Sequence, residues 1–301
     1  MKQISIGNHV FDIKDYHCCS LDDGEYYPKE DGKLWLYVNI TDVCNGYCPF
    51  CINPGKKQGK SPINLSRFSE VLDAVKDKIY GISITGGEPF LDIKLLDSLM
   101  DVVIEVMGHS VEIDTVTNGV NFKDIPKLRH IDDFDSIHLS RHCVDDAGNS
   151  KLFGFNTTNI QTIKETLEQL KDPGKIVFNC SLQKGCVDST EKVVDYLEMA
   201  AFIGVQNTSF IGLSKCNEYC KEHFVDPGDI DFQISDRFHI WNQFQDYSYC
   251  KCSSGNYDAK DKSVRFYYRC LGNGKAPYAR QLVYTADNRL LAGFGGEEIL
   301  L

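Results

Sequence analysis

The sequence predicts an α/β protein: a parallel sheet with helices outside it, followed by a small cysteine-rich C-terminal extension. Two observations predict it. Between Lys33 and Leu213, apolar residues recurring with period two alternate with stretches of period near 3.6, strand then helix, nearly six times. Alternation of this kind means parallel strands with the helices outside them. After Leu213 the alternation stops and cysteines return at Cys216, Cys220, Cys250, Cys252 and Cys270. The chain therefore divides into a lead-in over 1–33, the strand–helix body over 34–212 and the extension over 213–301.

Taken in order, Gln3 to Ile13 reads as a hairpin turned at Gly7-Asn8, and a polar stretch runs on to Gly32. Cys18 and Cys19 lie in it, and adjacent thiols do not readily share one tetrahedral metal. Leu34, Leu36, Val38 and Ile40 then alternate with Trp35, Tyr37 and Asn39, giving the first strand one aliphatic and one aromatic-polar face. Ser66 to Lys78 is a helix with Phe68, Val71, Leu72 and Val75 on one side and Ser66 as its N-cap. The second strand is Tyr80–Thr85, a helix runs from Asp92 to Met107 and stops at Gly108, and the third strand is Val111–Thr117. The fourth strand is Asp135–Ser140, and Arg141 to Phe155 reads as a long loop. A helix over Thr158–Leu170 is broken by Pro173-Gly174 before the fifth strand, Lys175–Leu182. A helix from Ser189 to Phe202 and a strand from Asn207 to Ile211 complete the series.

Composition narrows the function. The 301 residues are 42% hydrophobic and 25% charged, as in an ordinary water-soluble protein, and can bury one barrel-sized core or two domains. No apolar run is long enough to cross a bilayer, and Met1 to Tyr16 lacks the apolar core of a secretion signal, so the expected location is cytoplasmic, with no membrane partner. A net charge of -11 argues against nucleic acid as a partner and leans toward a basic peptide or amine. Thirteen cysteines in a cytoplasmic chain of this size point to metal rather than to a disulfide framework.

The chemistry is concentrated in two motifs. Cys44, Cys48 and Cys51 put three thiols into eight residues directly after the first strand, with Phe50 just before the third. Three thiolates suit a soft centre. A structural zinc site would want a fourth Cys or His close by, and none follows Cys51. Gly86, Gly87, Glu88 and Pro89 close the second strand; glycines admit a close approach of backbone where a β-carbon would clash, and a carboxylate suits an ammonium group. Taken singly, the first motif could be a zinc knuckle and the second a strand-to-helix turn. Together, in this order and spacing, C-x3-C-x2-C and GGEP resemble the signatures of the radical S-adenosylmethionine (SAM) superfamily.

The resemblance implies a partial (β/α)6 barrel and an enzyme, formally an oxidoreductase. It also implies a 4Fe-4S cluster held by Cys44, Cys48 and Cys51, whose open iron takes SAM. An electron donor such as flavodoxin or ferredoxin would reduce the cluster, and SAM would be cleaved to a 5'-deoxyadenosyl radical that abstracts hydrogen from a C–H bond. GGEP would grip the methionyl amino group of SAM. Thr117 and Asn118, at the third strand's end, are placed to touch cofactor or substrate, although Asn118-Gly119 could equally be a turn pair. In the fourth and fifth strands the aliphatic alternates face the helices, so His138, Ser140, Asn179 and Ser181 face inward. By resemblance Ser140 would bind the ribose or carboxylate of SAM, and Asn179 and Ser181 would reach the cofactor. Arg141 is either a partner for that carboxylate or an exposed loop residue, and Cys180 packs in the core. Cys143, beyond the fourth strand, is either a second hydrogen donor or a small buried hydrophobe.

The C-terminal cysteines resemble those of extensions that hold a second, auxiliary 4Fe-4S cluster. The ligand set implied is Cys220, Cys250, Cys252 and Cys270, with Cys216 as alternate, although the C-x2-C pair of such extensions is missing here. Hairpins are expected ending in Ser263–Tyr268, and over Gln281–Leu291 with its turn at Asp287-Asn288. The functional expectation is modification of a peptide or small natural-product intermediate: epimerisation, cross-linking or dehydrogenation. A glycyl-radical-type activating enzyme acting on a partner protein, and a non-catalytic zinc-stabilised binding module, are the alternatives.

Overall fold

The computed structural model describes residues 2–13, 33–52, 63–231, 237–243, 253–257, 262–268, 281–294 and 296–301. Cys18, Cys19, Cys250, Cys252 and Cys270 lie outside the described residues, so most of the expected auxiliary ligand set does too.

The fold is α/β, with a mostly parallel central sheet. Strands β1 (Lys2–Ile6) and β2 (His9–Ile13) form the expected hairpin. Six parallel strands follow as neighbours in chain order: β3 (Leu34–Thr41), β4 (Ile79–Gly86), β5 (Glu112–Thr117), β6 (Ser136–Ser140), β7 (Ile176–Leu182) and β8 (Asn207–Gly212). Between and after them run α1 (Leu65–Val75), α2 (Ile93–Met107), α3 (Asp146–Phe153), α4 (Ile160–Leu167), α5 (Thr190–Ile203) and α6 (Glu218–Glu222). This arrangement is that of a partial barrel. No described helix is long and apolar enough to cross a membrane.

Period-two patterning does what it predicts. Leu34, Leu36, Val38 and Ile40 are buried while Trp35, Tyr37, Asn39 and Thr41 are half-buried on the opposite face. On β7 the aliphatic face, Ile176, Phe178, Cys180 and Leu182, is buried, so Cys180 is a core thiol. Helix α1 turns Phe68, Val71, Leu72 and Val75 into the core, the four positions its spacing selects. Its cap differs from expectation: the Asn64 side chain, not Ser66, accepts from the Arg67 amide. Asp92 and Ser189 cap α2 and α5, and Gly108 ends α2 at φ 60°.

Two further differences matter for the site. Part of the stretch expected as loop, Arg141 to Phe155, is helix α3. Its caps, Asp145 at the start and left-handed Gly154 at the end, are legible. Its interior, with Gly148, Asn149 and Ser150, has little apolar periodicity to announce it.

The C-terminal strands also continue the barrel's own sheet. After β9 (Phe238–Gln243) and β10 (Ser253–Tyr257), β11 (Lys262–Tyr268) pairs parallel with β8. At the other edge β12 (Gln281–Tyr284) pairs parallel with β3, and β13 (Leu290–Leu291) and β14 (Glu298–Ile299) follow it outward. Among the described residues the sheet has 12 strands. The two C-terminal hairpins form as expected, β10 with β11 and β12 with β13, the second through Asn288 at φ 66°. The N-terminal hairpin docks where the chain ends: Asn8 and Leu300 exchange two hydrogen bonds of 3.3 and 3.0 Å.

Candidate active site

The cysteine loop leaves the C-terminal end of β3, and the end of β4 closes onto it. Gly87 donates its amide to the Thr41 carbonyl at 2.6 Å, and Glu88 donates to the Val43 carbonyl at 2.9 Å. A β-carbon on Gly87 would fall 1.9 Å from the Val43 oxygen, and one on Gly86, at φ 119°, 2.5 Å from the Thr41 oxygen. Both glycines are thus required for the backbone of one motif to lie on the backbone of the other. In this structure the close approach is to the cysteine loop itself.

Glu88 carries this junction further. It is buried; its carboxylate accepts from the Thr117 hydroxyl at 2.6 Å and from the Asn118 and Phe90 amides at 2.7 and 3.0 Å. Pro89, at the start of the 3-10 turn Pro89–Leu91 that Glu88 caps, is buried beneath it. The carboxylate therefore fastens β4 to β5. Asn118 completes the circuit: its amide donates to Asn45 Oδ1 at 2.9 Å and approaches Cys44 Sγ at 3.8 Å. The Asn118 side chain also accepts from the Val120 amide at 3.0 Å, the local bond of a turn at Asn118-Gly119.

A second wall of the loop joins Phe50 and His142 to Phe153 and Asn217, two residues the sequence does not single out. Tyr47 donates its amide to the Phe153 carbonyl at the end of α3 (2.8 Å), and Asn217, capping α6, donates to the Pro49 carbonyl (2.9 Å). The Phe50 ring stands edge-on to His142, 4.9 Å between centroids, and His142 stacks on Phe153 at 5.0 Å. His142 is itself held, its Nδ1 accepting from the Ser181 amide at 3.0 Å.

On the inner face, Ser140 and Asn179 are register partners at the ends of β6 and β7. His138 lies between Ser136 (3.0 Å) and Asn179 Oδ1 (3.2 Å). Asn179 and Ser181 are buried, Ser140 half-buried. Deeper on β5, Asp114 bonds to Ser83; burial pushes its carboxyl up to about 7, with the Asp135 charge adding to the shift.

Arg141 is a correction. It is 1% exposed and its guanidinium donates to the Val144 carbonyl and to Asp146, both at 2.9 Å. It continues the outward alternation of Ile137 and Leu139, which sets it on the face opposite Ser140 and away from any inner-face carboxylate. Cys143 is buried with its sulfur 2.9 Å from Cys186 Sγ, and Cys216 and Cys220 lie 3.8 Å apart around the start of α6. Burial pushes the Cys220 thiol up to about 11.

The donor set fits an iron–sulfur cluster. Cys44 and Cys48 turn their sulfurs to the same side of Gly46, 3.6 and 3.5 Å from where its β-carbon would be. Among the described residues no three ligating side chains crowd together as a single ion requires. Three thiolates from one short loop are the ligand type that iron–sulfur clusters take.

A model of the Radical SAM superfamily matches residues 38–197, which carry both motifs and five of the parallel strands. The chain belongs to the radical SAM superfamily. The family implies a 4Fe-4S cluster and SAM, and makes this radical SAM chain an enzyme. It is 28% identical over 191 residues to the probable GTP 3',8-cyclase of Saccharolobus islandicus, covering 62% of this chain and 58% of the relative. It is 27% identical over 178 residues to the GTP 3',8-cyclase of Aquifex aeolicus, covering 56% and 53%. The chain thus matches less than two thirds of the length of these curated relatives. Among solved structures, Streptococcus suis SuiB bound to precursor peptide SuiA superposes with a TM-score of 0.58 at 16% identity, over 86% of this chain and 59% of SuiB. That likeness is one of fold.

Proposed function

We propose that this radical SAM enzyme cleaves SAM reductively and abstracts hydrogen from a C–H bond of a peptide or a small natural-product intermediate. The observation that carries the reading is the closure of the GGEP strand end on the three-cysteine loop through Gly87 and Glu88. A four-iron cluster with SAM on its open iron supplies, when bound, the 5'-deoxyadenosyl radical. Cys44, Cys48 and Cys51 would hold that cluster. Gly86 and Gly87 keep the β4 end against the loop, and Asn118 offers an amide to the Cys44 sulfur. The inner-face groups Ser140, Asn179 and Ser181 would orient the polar parts of SAM. Phe50, His142 and Phe153 form an apolar wall that keeps water and stray hydrogen donors off the loop. Cys220, with Cys250, Cys252 and Cys270, would hold the auxiliary cluster.

A peptide is favoured over an anionic nucleotide by the net charge of -11, and the fold is shared with a protein solved with its precursor peptide. Cyclisation of GTP is the second reading, favoured by the identity to the curated cyclases. The test is anaerobic reconstitution with iron and sulfide, then SAM and dithionite. Release of 5'-deoxyadenosine is expected, and its absence overturns the proposal. Acceleration by GTP, with GTP consumed, transfers the assignment to the second reading.

A further inference from the structure

Cys143 and Cys186 lie on the two connections that leave the C-terminal ends of β6 and β7. Neither is a ligand in the site described above, yet their sulfurs stand 2.9 Å apart. Both positions are held by their own surroundings. On the Cys143 side, the Asn149 side chain accepts from the His142 amide at 2.9 Å, and Asp145 caps α3 through the Gly148 amide. On the Cys186 side, the chain turns tightly: Cys186 donates to the Gln183 carbonyl, Gln183 to the Val187 carbonyl, and Gly185, at φ 85°, to Asp188. Two thiols so positioned meet at high effective concentration, with little chain entropy left to lose when they join.

The pair is also chemically unsymmetrical. Cys143 is 5% exposed, whereas Cys186 is half-buried and open to a small reagent. The Cys143 thiol donating to Cys186 favours the Cys186 thiolate, and the Lys192 ammonium adds to this; the same contact and burial push Cys143 up. The thiolate is the attacking form of cysteine.

The geometry points to Cys143 and Cys186 as a reversible dithiol–disulfide modification site, taking a small organic disulfide as its oxidant. In the first step the Cys186 thiolate attacks one sulfur of R–S–S–R, forming a mixed disulfide and expelling R–S⁻. In the second, Cys143 gives up its proton and attacks the Cys186 sulfur, expelling the other R–S⁻. Two protein thiols are oxidised by two electrons in all, the reagent is reduced to two molecules of R–SH, and the protons of the protein thiols end on them. The new bond ties the β6–α3 connection to the β7–α5 connection. The first of these carries His142, whose ring packs on Phe50 in the cysteine loop, so the site lies one residue from the aromatic wall without belonging to the cluster's ligands.

The experiment uses cluster-loaded protein, held anaerobically and treated with 2-hydroxyethyl disulfide, then alkylated and mapped by peptide mass spectrometry. The expected product is one cross-linked peptide pair joining Cys143 to Cys186, lighter by two hydrogens and restored by dithiothreitol, with iron per chain unchanged. In Cys143→Ser the mixed disulfide should accumulate on Cys186. In Cys186→Ser the thiol of Cys143 should remain unreacted. The wild-type map decides even if a variant fails to fold. Alkylation of both thiols with no cross-link, or cross-linking of either to another cysteine, overturns the assignment.

Discussion

Gly87 sits so close to Val43 that a β-carbon on it would fall 1.9 Å from the Val43 carbonyl oxygen, while its amide holds the Thr41 carbonyl at 2.6 Å. The neighbour is backbone and cannot swing aside as a side chain would. Gly87→Ala must therefore displace the start of the cysteine loop, at a cost of about 2 kcal/mol or more. A lower denaturation midpoint and a lower iron content per chain after reconstitution are expected together. Wild-type iron loading in Gly87→Ala would show that this contact does not shape the loop.

Glu88 gathers three donors from two segments in a buried position. Glu88→Ala leaves the Thr117 hydroxyl and two amides without that acceptor, which is expected to cost about 3 kcal/mol or more. Thr117→Val removes one of those donors and also the acceptor of the Gly119 amide, and should cost about 2 kcal/mol. Urea midpoints of the two variants check the order; equal effects would contradict it.

Much of this arrangement was legible. The alternation of Leu34 to Ile40 and the spacing of Phe68, Val71, Leu72 and Val75 announce both their elements and their buried faces, because local period and burial agree there. The two motifs mark the ends of β3 and β4 because their residue types are demanded by chemistry and by close backbone approach. Arg141 was readable by the same period-two rule that places Ser140, and the attraction of a cofactor carboxylate competed with it. Other features depend on partners distant in sequence: the Glu88 donors on β5, the Asn217 contact to Pro49, and the parallel pairing of β11 and β12 with opposite edges of the barrel sheet. No local pattern encodes such partners. The meeting of Cys143 with Cys186 is of this kind, although each cysteine's place just beyond a strand end was a signal.

Asp114 makes stability depend on pH in a definite direction. Its carboxyl is raised from 3.8 to about 7 by burial, so the folded protein holds this proton after the unfolded chain has released it. The contribution of Asp114 to stability is greatest below the unfolded value and is lost as pH rises through about 7. Relative to Asp114→Asn, the wild type should weaken steadily between about pH 4 and pH 7 and hold constant above. Denaturation midpoints of both proteins across that range check it; a difference that grows toward acid in the opposite sense would contradict the assignment.

At the head of α1, the Asn64 side chain accepts from the Arg67 amide at 3.1 Å, while Ser66 is exposed. Asn64→Ala should cost about 1 kcal/mol and Ser66→Ala only a few tenths. Asn64 also donates its backbone amide to the Asn288 side chain at 2.7 Å, a bond that both variants keep. Thermal melts of the pair distinguish the caps.

The central claim is that Cys44, Cys48 and Cys51 hold a cluster with one iron left for SAM. The most direct measurement is the electron paramagnetic resonance spectrum of the dithionite-reduced protein, recorded before and after SAM is added. The signal should change shape on addition of SAM, and the SAM-sensitive signal should be missing from a variant with all three cysteines replaced by alanine. A spectrum indifferent to SAM, or a SAM-sensitive signal that survives in that variant, would contradict the account.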